Sequence, residues 1–331
     1  MSDHHPLLFI TEADTVELLQ WPDVIACLAA AYAAPDEPAA VPPRVVARKD
    51  GAWLRVLAAM PAGRHMGAKI IARARTPQLS YLMPLWDRET AELVCLLDAK
   101  YITGMRTAGT TAMAVDRLLP KKALRVAVLG SSHEAQAHAA ALAAVREIAQ
   151  MTVYSPTPAS REKFARRCAA DLGILCTAAE APRAAVENAD LIICAARSHD
   201  EKPILAGAWL KPGVMVASIG STLPEQIEVD PEVIRRASVI VADVPEEVMH
   251  QTGDMLAAAA AGVVFADKVV SLHDMVQGRR AVAQSADNIV LFKSVGSALQ
   301  DMAVSELCLQ QARSRCLGTV LPVGLTVKGR P

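Results

Sequence analysis

Residues 125–142, RVAVLGSSHEAQAHAAAL, combine a short apolar run, a glycine and an Ala-rich segment, which together predict a strand, a tight turn and a helix. Four further apolar runs follow, MTVYS, LIICAA, VMVASIG and VIVAD, and Ala-rich segments separate several of them. Buried strands that alternate with helices form parallel sheets with helices on both faces. This part of the chain therefore predicts an α/β fold with a doubly wound parallel sheet.

The turn after the first of these strands has the spacing of a phosphate-binding loop. The usual fingerprint is G-x-G-x-x-G/A. Gly130 takes its first position and Ala135 its third, but Ser132 replaces the second glycine. An ordinary strand–helix turn is the alternative, and the place of the loop at the head of five β-units favours a Rossmann-type phosphate site. We assign backbone contacts with a dinucleotide pyrophosphate to Gly130, Ser131, Ser132, Glu134, Ala135 and Gln136.

The end of the second strand predicts which dinucleotide is bound. An acidic residue there would bind the ribose 2′-hydroxyl of NAD, and residues 154–161 contain none. Ser155, Thr157 and Arg161 offer hydrogen-bond donors to a 2′-phosphate instead, although they would also suit a solvated turn and a helix cap. We therefore expect a preference for NADP(H), with NAD(H) as the alternative. The residues expected to border the nicotinamide ribose follow a later strand and are Ala195, Ala196 and Arg197.

Composition and charge argue against several functional classes. The 331 residues carry a formal net charge of -1 and no basic run, so nucleic acid is not an expected partner. The seven cysteines form no C-x-x-C pair and no His cluster accompanies them, so we expect neither a disulfide framework nor a metal site. The N-terminus shows no signal-peptide pattern, and no apolar run has the length and composition of a membrane span. The sequence therefore predicts a soluble cytoplasmic protein.

The length of the chain predicts two domains. The strand-like segments outside the parallel-sheet region are residues 7–10, 52–60 and 66–75 and a hairpin at 81–99. YITGMRTAGTTAMAVDRLL predicts a helix that ends near Pro120, and SALQDMAVSELCLQQARSR predicts a long amphipathic helix. We expect a discontinuous α+β domain at 1–118 and 301–331, with the Rossmann domain at 119–300 inserted in it.

Five segments carry a family resemblance when they are taken in order: GAKIIARA, YITGMRTAGTTAMAVDRLL, VAVLGSSHEAQAHAAAL, SIGSTLPEQIEVD and FKSVGSALQDMAVSEL. Together they resemble the ornithine cyclodeaminase/mu-crystallin family, from about Arg44 to the C-terminal helix. That family includes ornithine cyclodeaminases, alanine dehydrogenases, ketimine and pyrroline-carboxylate reductases and mu-crystallin. The resemblance implies that the Rossmann domain is inserted in a second domain, which dimerises and carries the substrate-binding groups.

The resemblance implies that Arg44, Lys69 and Arg106 bind a substrate α-carboxylate. A guanidinium grips a carboxylate with two parallel hydrogen bonds, which orients the reacting carbon. Lys69 lies in the apolar strand MGAKIIA, where an unpaired charge is costly to bury, and we expect the ligand carboxylate to be its counterion. Taken singly, each residue would suit a surface position, so the assignment depends on the family pattern. The cofactor-binding set is completed by Thr107, Gly220, Lys293 and Ser294.

One position departs from the family pattern. Ornithine cyclodeaminases carry a catalytic aspartate two residues before the proline of the segment that reads GSTLPEQ here, and Thr222 stands at that position. A threonine hydroxyl forms hydrogen bonds but does not act as a carboxylate base near neutral pH. We assign Lys69, Arg106 and Thr222 as the catalytic set of an NAD(P)H-dependent reductase of imines adjacent to a carboxylate, with Lys69 as the proton donor. The alternatives are an ornithine cyclodeaminase with catalytic NAD and a non-enzymatic NADPH-binding protein of the mu-crystallin type.

The apolar strands of the N-terminal part predict how the protein assembles. AWLRVLAAM, YLMPLWD and LVCLLDA supply more apolar surface than a small lobe easily covers alone. The resemblance implies that such strands pair in a dimer interface, and twofold dimers are the commonest soluble oligomers. We expect a homodimer that binds a small imino or amino acid and that binds no membrane.

Overall fold

The computed structural model describes residues 6–76, 78–196, 200, 202–282, 285–322 and 325–327. The chain divides into two compact units, the first made of Met1–Thr107 and Ser297–Pro331 and the second of Ala108–Gly296. The second unit is therefore inserted in the first. The boundaries that the sequence predicts, 118/119 and 300/301, lie further along the chain than this division.

In the described part of the first unit, seven strands form one sheet. They are β1 (Leu8–Ile10), β2 (Val45–Lys49), β3 (Ala52–Ala59), β4 (His65–Arg73), β5 (Leu79–Asp87), β6 (Leu93–Asp98) and β15 (Thr319–Val320). The sheet order is β15-β1-β6-β5-β4-β3-β2. Strands β2 to β6 form an antiparallel meander, and β1 lies parallel to β6. The predicted strands and hairpin are confirmed, whereas β2 falls in a segment for which no strand was predicted.

Three helices of the first unit, α1 (Glu12–Leu18), α2 (Trp21–Ala33) and α11 (Ala298–Arg315), contribute to a shared apolar core with the sheet. A capping box at Thr11 starts α1, because Thr11 and Asp14 exchange side-chain and backbone hydrogen bonds. Helix α11 approaches β4 closely at Gly67, where an added Cβ would lie 2.8 Å from the Met302 sulfur. This approach brings the first turn of α11 beside the middle of β4.

The eight strands that the described residues of the second unit form are all parallel to their neighbours. They are β7 (Leu124–Leu129), β8 (Ile148–Tyr154), β9 (Cys176–Ala178), β10 (Leu191–Cys194), β11 (Met215–Ser218), β12 (Ala237–Ala242), β13 (Val269–Ser271) and β14 (Ile289–Lys293). Their order is β13-β12-β14-β11-β10-β7-β8-β9. The chain runs outward from β7 to β9 and then returns to β10 on the other side of β7, which is the switch point where such sheets bind ligands.

Helices connect these strands and complete the predicted α/β fold, which is confirmed. They are α3 (Lys100–Leu118), α4 (His133–Ala143), α5 (Pro158–Leu172), α6 (Pro182–Val186), α7 (Pro231–Arg236), α8 (Pro245–Gln251), α9 (Gly253–Ala260) and α10 (Leu272–Val276). The division between the units falls within α3, after Thr107. Across the described ranges, no helix has the length and apolar character needed to cross a membrane.

Candidate functional site

Lys69 lies at the centre of a buried polar cluster in the first unit. Alternate residues of β4 are buried, and Lys69 is one of them, with a relative exposure of 1%. Its Nζ donates a hydrogen bond to Oδ1 of Asp301, in the first turn of α11, over 2.7 Å. The expectation that a ligand carboxylate is the counterion of Lys69 is therefore corrected, because Asp301 already fills that role.

Arg106 is held by the same carboxylate. It lies in the second turn of α3, and its Nε donates to Asp301 Oδ1 over 3.0 Å. Its Nη1 donates to Oε1 of Gln300 over 3.0 Å, and Nε2 of Gln300 donates to the hydroxyl of Tyr32 over 2.8 Å. These bonds fix the plane of the guanidinium, so Arg106 is pre-organised to bind a planar anion.

The electrostatics of this cluster favour an added anion. The pKa of Lys69 is lowered to about 7. Burial is the largest cause, the positive charges of Arg106 and Arg44 act in the same direction, and Asp301 acts against them. Arg44 thus lies close enough to Lys69 to act on its charge, as the family pattern implies. Lys69 and Arg106 share one buried carboxylate, and Arg44 adds a third positive charge near Lys69, so a second carboxylate would balance the charge better. Near neutral pH the Lys69 ammonium also loses its proton readily, which suits a proton donor.

Sequence reasoning missed the residues that support these cations. Asp301 and Gln300 are adjacent on α11, and Tyr32 lies near the end of α2. Asp301 Oδ2 is also buried and accepts no hydrogen bond from the described residues. The sequence offered one signal, which is the single acid Asp301 in the otherwise uncharged first turn of SALQDMAVSEL. A carboxylate that is buried with an apolar helix face needs a cation as its partner.

The phosphate-binding loop lies at the carboxyl end of β7. Gly130 has φ +123, and an added Cβ would lie 2.6 Å from the carbonyl oxygen of Ala195, so glycine is required there for both its backbone angle and its size. Helix α4 starts directly afterwards, and its N-cap residue Ser132 makes no side-chain hydrogen bond to the helix. The first N–H groups of α4 therefore fit the pyrophosphate of a dinucleotide.

The residues predicted to choose the cofactor lie beside this loop. Ser131 Oγ donates to Ser155 Oγ over 2.9 Å, which links the ends of β7 and β8. Arg161 Nη1 donates to the Ser155 carbonyl over 3.0 Å, and its guanidinium lies 5.8 Å from the centre of the Tyr154 ring. Thr157 is the N-cap of α5. A cation and three hydroxyl groups therefore gather at the end of β8, the strand end that contacts the ribose 2′-position in Rossmann-type folds.

The residues predicted to border the nicotinamide ribose follow β10, and Gly220, which was predicted to bind the cofactor, follows β11. An added Cβ on Gly220 would lie 2.7 Å from the Ala196 carbonyl oxygen, so these two strand ends touch. Ala195 in turn touches Gly130, as described above. Arg197 lies outside the described residues. The structure thus brings Ala195, Ala196 and Gly220 together with the phosphate loop.

Lys293 and Ser294, at the end of β14, are engaged inside the second unit. Nζ of Lys293 lies 2.7 Å from Oδ2 of Asp254 and donates to Ser218 Oγ over 2.9 Å and to the Ser221 carbonyl over 2.8 Å. Ser294 Oγ donates to Asp243 over 2.7 Å. These two side chains are hydrogen-bonded within the second unit and stabilise the strand ends. Residues 293 and 294 would therefore contact a cofactor through their backbone rather than through their side chains.

The remaining assigned positions lie further from these clusters or point elsewhere. Thr107 is in the first unit, where its hydroxyl donates to the Thr103 carbonyl over 2.7 Å. Glu134 and Gln136 lie in the first turns of α4, and Glu134 Oε1 is 3.5 Å from His138 Nδ1. These roles stay predictions.

Thr222 occupies the position of the cyclodeaminase aspartate in a partly buried loop after β11. Its backbone N–H donates to Gln226 Oε1 over 2.9 Å, and its hydroxyl lies 3.4 Å from the same oxygen. The loop is therefore held by an amide side chain, and Thr222 contributes no charge to it. Within the described ranges, no group of three or more His, Cys, Asp or Glu side chains is arranged to hold a metal ion.

The chain is similar to a known protein family and to several of its members. The model of the ornithine cyclodeaminase/mu-crystallin family matches residues 8–315. A Delta(1)-pyrroline-2-carboxylate reductase of Bacillus cereus is 26% identical over 281 residues, which are 85% of this chain and 83% of the relative.

Two solved structures share the fold. One is a Thermococcus litoralis Delta(1)-pyrroline-2-carboxylate reductase in complex with NADH and L-proline, with a TM-score of 0.88, 24% identity and coverage of 95% of this chain and 100% of that one. The other is an archaeal alanine dehydrogenase dimer with bound NAD, with a TM-score of 0.86, 23% identity and coverage of 97% and 99%. The fold class expected from the sequence is thus found in nicotinamide-dependent enzymes.

Proposed function

Because this chain belongs to the ornithine cyclodeaminase/mu-crystallin family, we propose that it is a nicotinamide-dependent reductase of imines that carry an adjacent carboxylate. The observation that carries the proposal is the buried pairing of Lys69 and Arg106 with the carboxylate of Asp301, with the positive charge of Arg44 close to Lys69. The Bacillus cereus relative is a reductase of a cyclic imino acid, which has such a carboxylate.

The residues of the first unit bind and protonate the substrate. Arg106, fixed at its Nε and Nη1 edge, takes the substrate carboxylate together with Arg44. Lys69 holds a proton at Nζ that it transfers to the imine nitrogen, because burial and its cationic neighbours bring its pKa to about 7. When bound, a reduced nicotinamide would supply the hydride for the imine carbon, and the product would be an open-chain or cyclic amino acid with one new C–H and one new N–H bond.

The cofactor is a nicotinamide dinucleotide held by the second unit. Gly130 and the N-terminus of α4 take the pyrophosphate, since this loop has the close approach and the open N–H groups that an anion needs. NADP(H) is preferred over NAD(H), because Arg161 and the Ser131–Ser155 pair stand at the end of β8 where an acid would otherwise exclude a phosphate.

The protein assembles as a homodimer through the sheet of the first unit. Its open face is formed by cross-strand neighbours Val45, Val56, Ile70 and Leu82, of which Val45 is 65% and Leu82 is 38% exposed. A row of large apolar side chains across an exposed sheet is a surface that a partner covers. A second copy fits best, because an apolar stripe is complementary to itself about a twofold axis.

A substrate screen tests the function directly. Cyclic and open-chain imino acids are mixed with NADPH or NADH, and the nicotinamide absorbance is followed as it falls. Net oxidation of the cofactor with an imino acid supports the reductase. Ammonia release from ornithine without net change in the cofactor would identify a cyclodeaminase instead, and cofactor binding without any turnover would identify a binding protein.

A further inference from the structure

The described residues of the second unit include a fully buried cluster of three charged side chains that the proposed reaction leaves without a role. Glu228, Asp254 and Lys293 are each fully buried, with relative exposures of 0%. Asp254 and Lys293 pair with each other over 2.7 Å. Glu228 is then a surplus negative charge, and a buried surplus charge is costly unless it serves a purpose.

The carboxylate of Glu228 is bonded to the ends of two neighbouring strands. Its Oε2 accepts hydrogen bonds from Ser218 Oγ over 2.7 Å and from the N–H groups of Ile219 and Gly220, each over 3.0 Å. Its Oε1 accepts from the N–H of Ala196 over 3.2 Å. One carboxylate thus positions the loop after β10, which was assigned above to the nicotinamide ribose, and the loop after β11, which carries the predicted cofactor-binding residue Gly220.

The surroundings of Glu228 place its titration near neutral pH. The pKa of Glu228 is raised to about 7. Burial is the largest cause, the charge of Lys293 acts against the rise, and the charge of Asp254 adds to it. Cys194, on β10, is the other titratable group that faces it, and burial raises the pKa of this thiol far above its usual range. Cys194 stays neutral near pH 7, whereas Glu228 changes its charge over the working pH range.

We propose that Glu228 is a positioning residue that senses the oxidation state of the cofactor. Its carboxylate form favours the cationic nicotinamide ring of the oxidised cofactor, and its protonated form accompanies the neutral ring of the reduced cofactor. The proposal depends on the proposed cofactor and its loops. Binding of the oxidised form then displaces a proton from the Glu228 carboxyl to solvent, and binding of the reduced form does not.

The test compares both redox forms of one nucleotide with the full-length protein. The Kd of NADP+ and of NADPH is measured from about pH 6 to about pH 8.5 by titration calorimetry. Both forms carry the same phosphates, so the ratio Kd(NADP+)/Kd(NADPH) isolates the charge of the ring. In the native protein this ratio should fall about fivefold or more as pH rises through the Glu228 titration.

Two variants separate this effect from a purely structural one. Glu228→Gln keeps the shape but cannot titrate, so its ratio should not change with pH. Asp243→Asn removes a buried carboxylate that holds Ser294 and the N–H of Gly296, and should keep the native pH dependence. If Glu228→Gln retains the native pH dependence, the proposal is wrong.

Proton release gives a readout that needs no substitution at Glu228. Calorimetry in buffers of different ionisation enthalpy should show more proton release for NADP+ than for NADPH near pH 7. Lys69 also has a pKa of about 7, so it exchanges protons in the same pH range. The measurement is therefore repeated in Lys69→Met, where NADP+ should still release more protons than NADPH. Equal release for both forms, or loss of the difference in Lys69→Met, would overturn the role of Glu228. Failure of either nucleotide to bind would refute the cofactor proposal instead.

Discussion

Asp301→Asn removes the negative charge that Lys69 and Arg106 both contact, and it preserves the shape of the side chain. The asparagine oxygen can still accept hydrogen bonds from both cations. The variant therefore tests the charge of Asp301 rather than its packing. We expect it to lower the pKa of Lys69, because both the charge of Asp301 and its hydrogen bond raise that pKa in the native protein.

The size of the effect follows from the bond between Lys69 and Asp301. A hydrogen bond to a charged group contributes about 1.5–3 kcal/mol, and one pKa unit corresponds to about 1.4 kcal/mol, so the pKa of Lys69 should fall by about 1 to 2 units. Starting from a pKa of about 7, this leaves Lys69 mostly deprotonated near neutral pH. At about pH 7.5 its protonated fraction would fall roughly eightfold for one unit and roughly seventy-fold for two.

The assay is the pH dependence of kcat/KM for the imine substrate found by screening. In the native enzyme kcat/KM should decline as pH rises above about 7, because Lys69 loses its proton. In Asp301→Asn the decline should begin at least about one unit lower, and activity should recover as the pH is lowered. Glu306→Gln, on the same helix but paired with His65 over 3.2 Å, is the matched control and should keep the native profile. An Asp301→Asn profile with an unchanged midpoint, or a loss of equal size at every pH, would refute the reasoning.

Four further outcomes are expected. Arg161→Ala should weaken NADPH binding about tenfold and leave NADH binding unchanged, as measured by fluorescence titration, and an equal loss for both would contradict the phosphate preference. Leu82→Glu should convert the dimer to a monomer by light scattering, whereas an unchanged mass would place the interface elsewhere. The free energy of unfolding, measured with denaturant, should pass through a minimum near pH 7. The raised pKa of Glu228 contributes stability that is fully present below pH 4.5 and is lost as pH rises through about 7. The lowered pKa of Lys69 contributes stability that is fully present above pH 10.5 and is lost as pH falls through about 7. Glu228→Gln should remove the loss of stability between about pH 4.5 and 7, and Lys69→Met should remove the gain of stability between about pH 7 and 10.5. A variant that keeps its pH dependence in that range would contradict the assignment. Thr222→Asp should leave the Kd of NADPH within about twofold of native, and a larger loss would show that a charge at this position disturbs the cofactor site.

Local pattern was enough to predict most of the architecture. The alternation of apolar runs with Ala-rich segments predicted the parallel sheet, because buried strands and amphipathic helices differ in the period of their apolar residues. The end of α3 before Pro120 and the tight turn at Gly130 were also predicted, since each depends on neighbouring residues. Short elements without such a signal were missed, among them β2 and β9, which are stabilised by their partners in the sheet.

The charges of the site were decided by the tertiary structure. The sequence identified Lys69 and Arg106 through a family pattern, but their shared carboxylate lies 232 and 195 residues further along the chain. Glu228 and Lys293 were likewise placed in one buried network by strands that are distant in sequence. A sequence shows which side chains can carry charge. Their pKa values depend on burial and on charges within a few ångströms. The packing of α11 against β4 determines burial and neighbouring charges for Lys69, and the position of β14 between β11 and β12 determines them for Glu228.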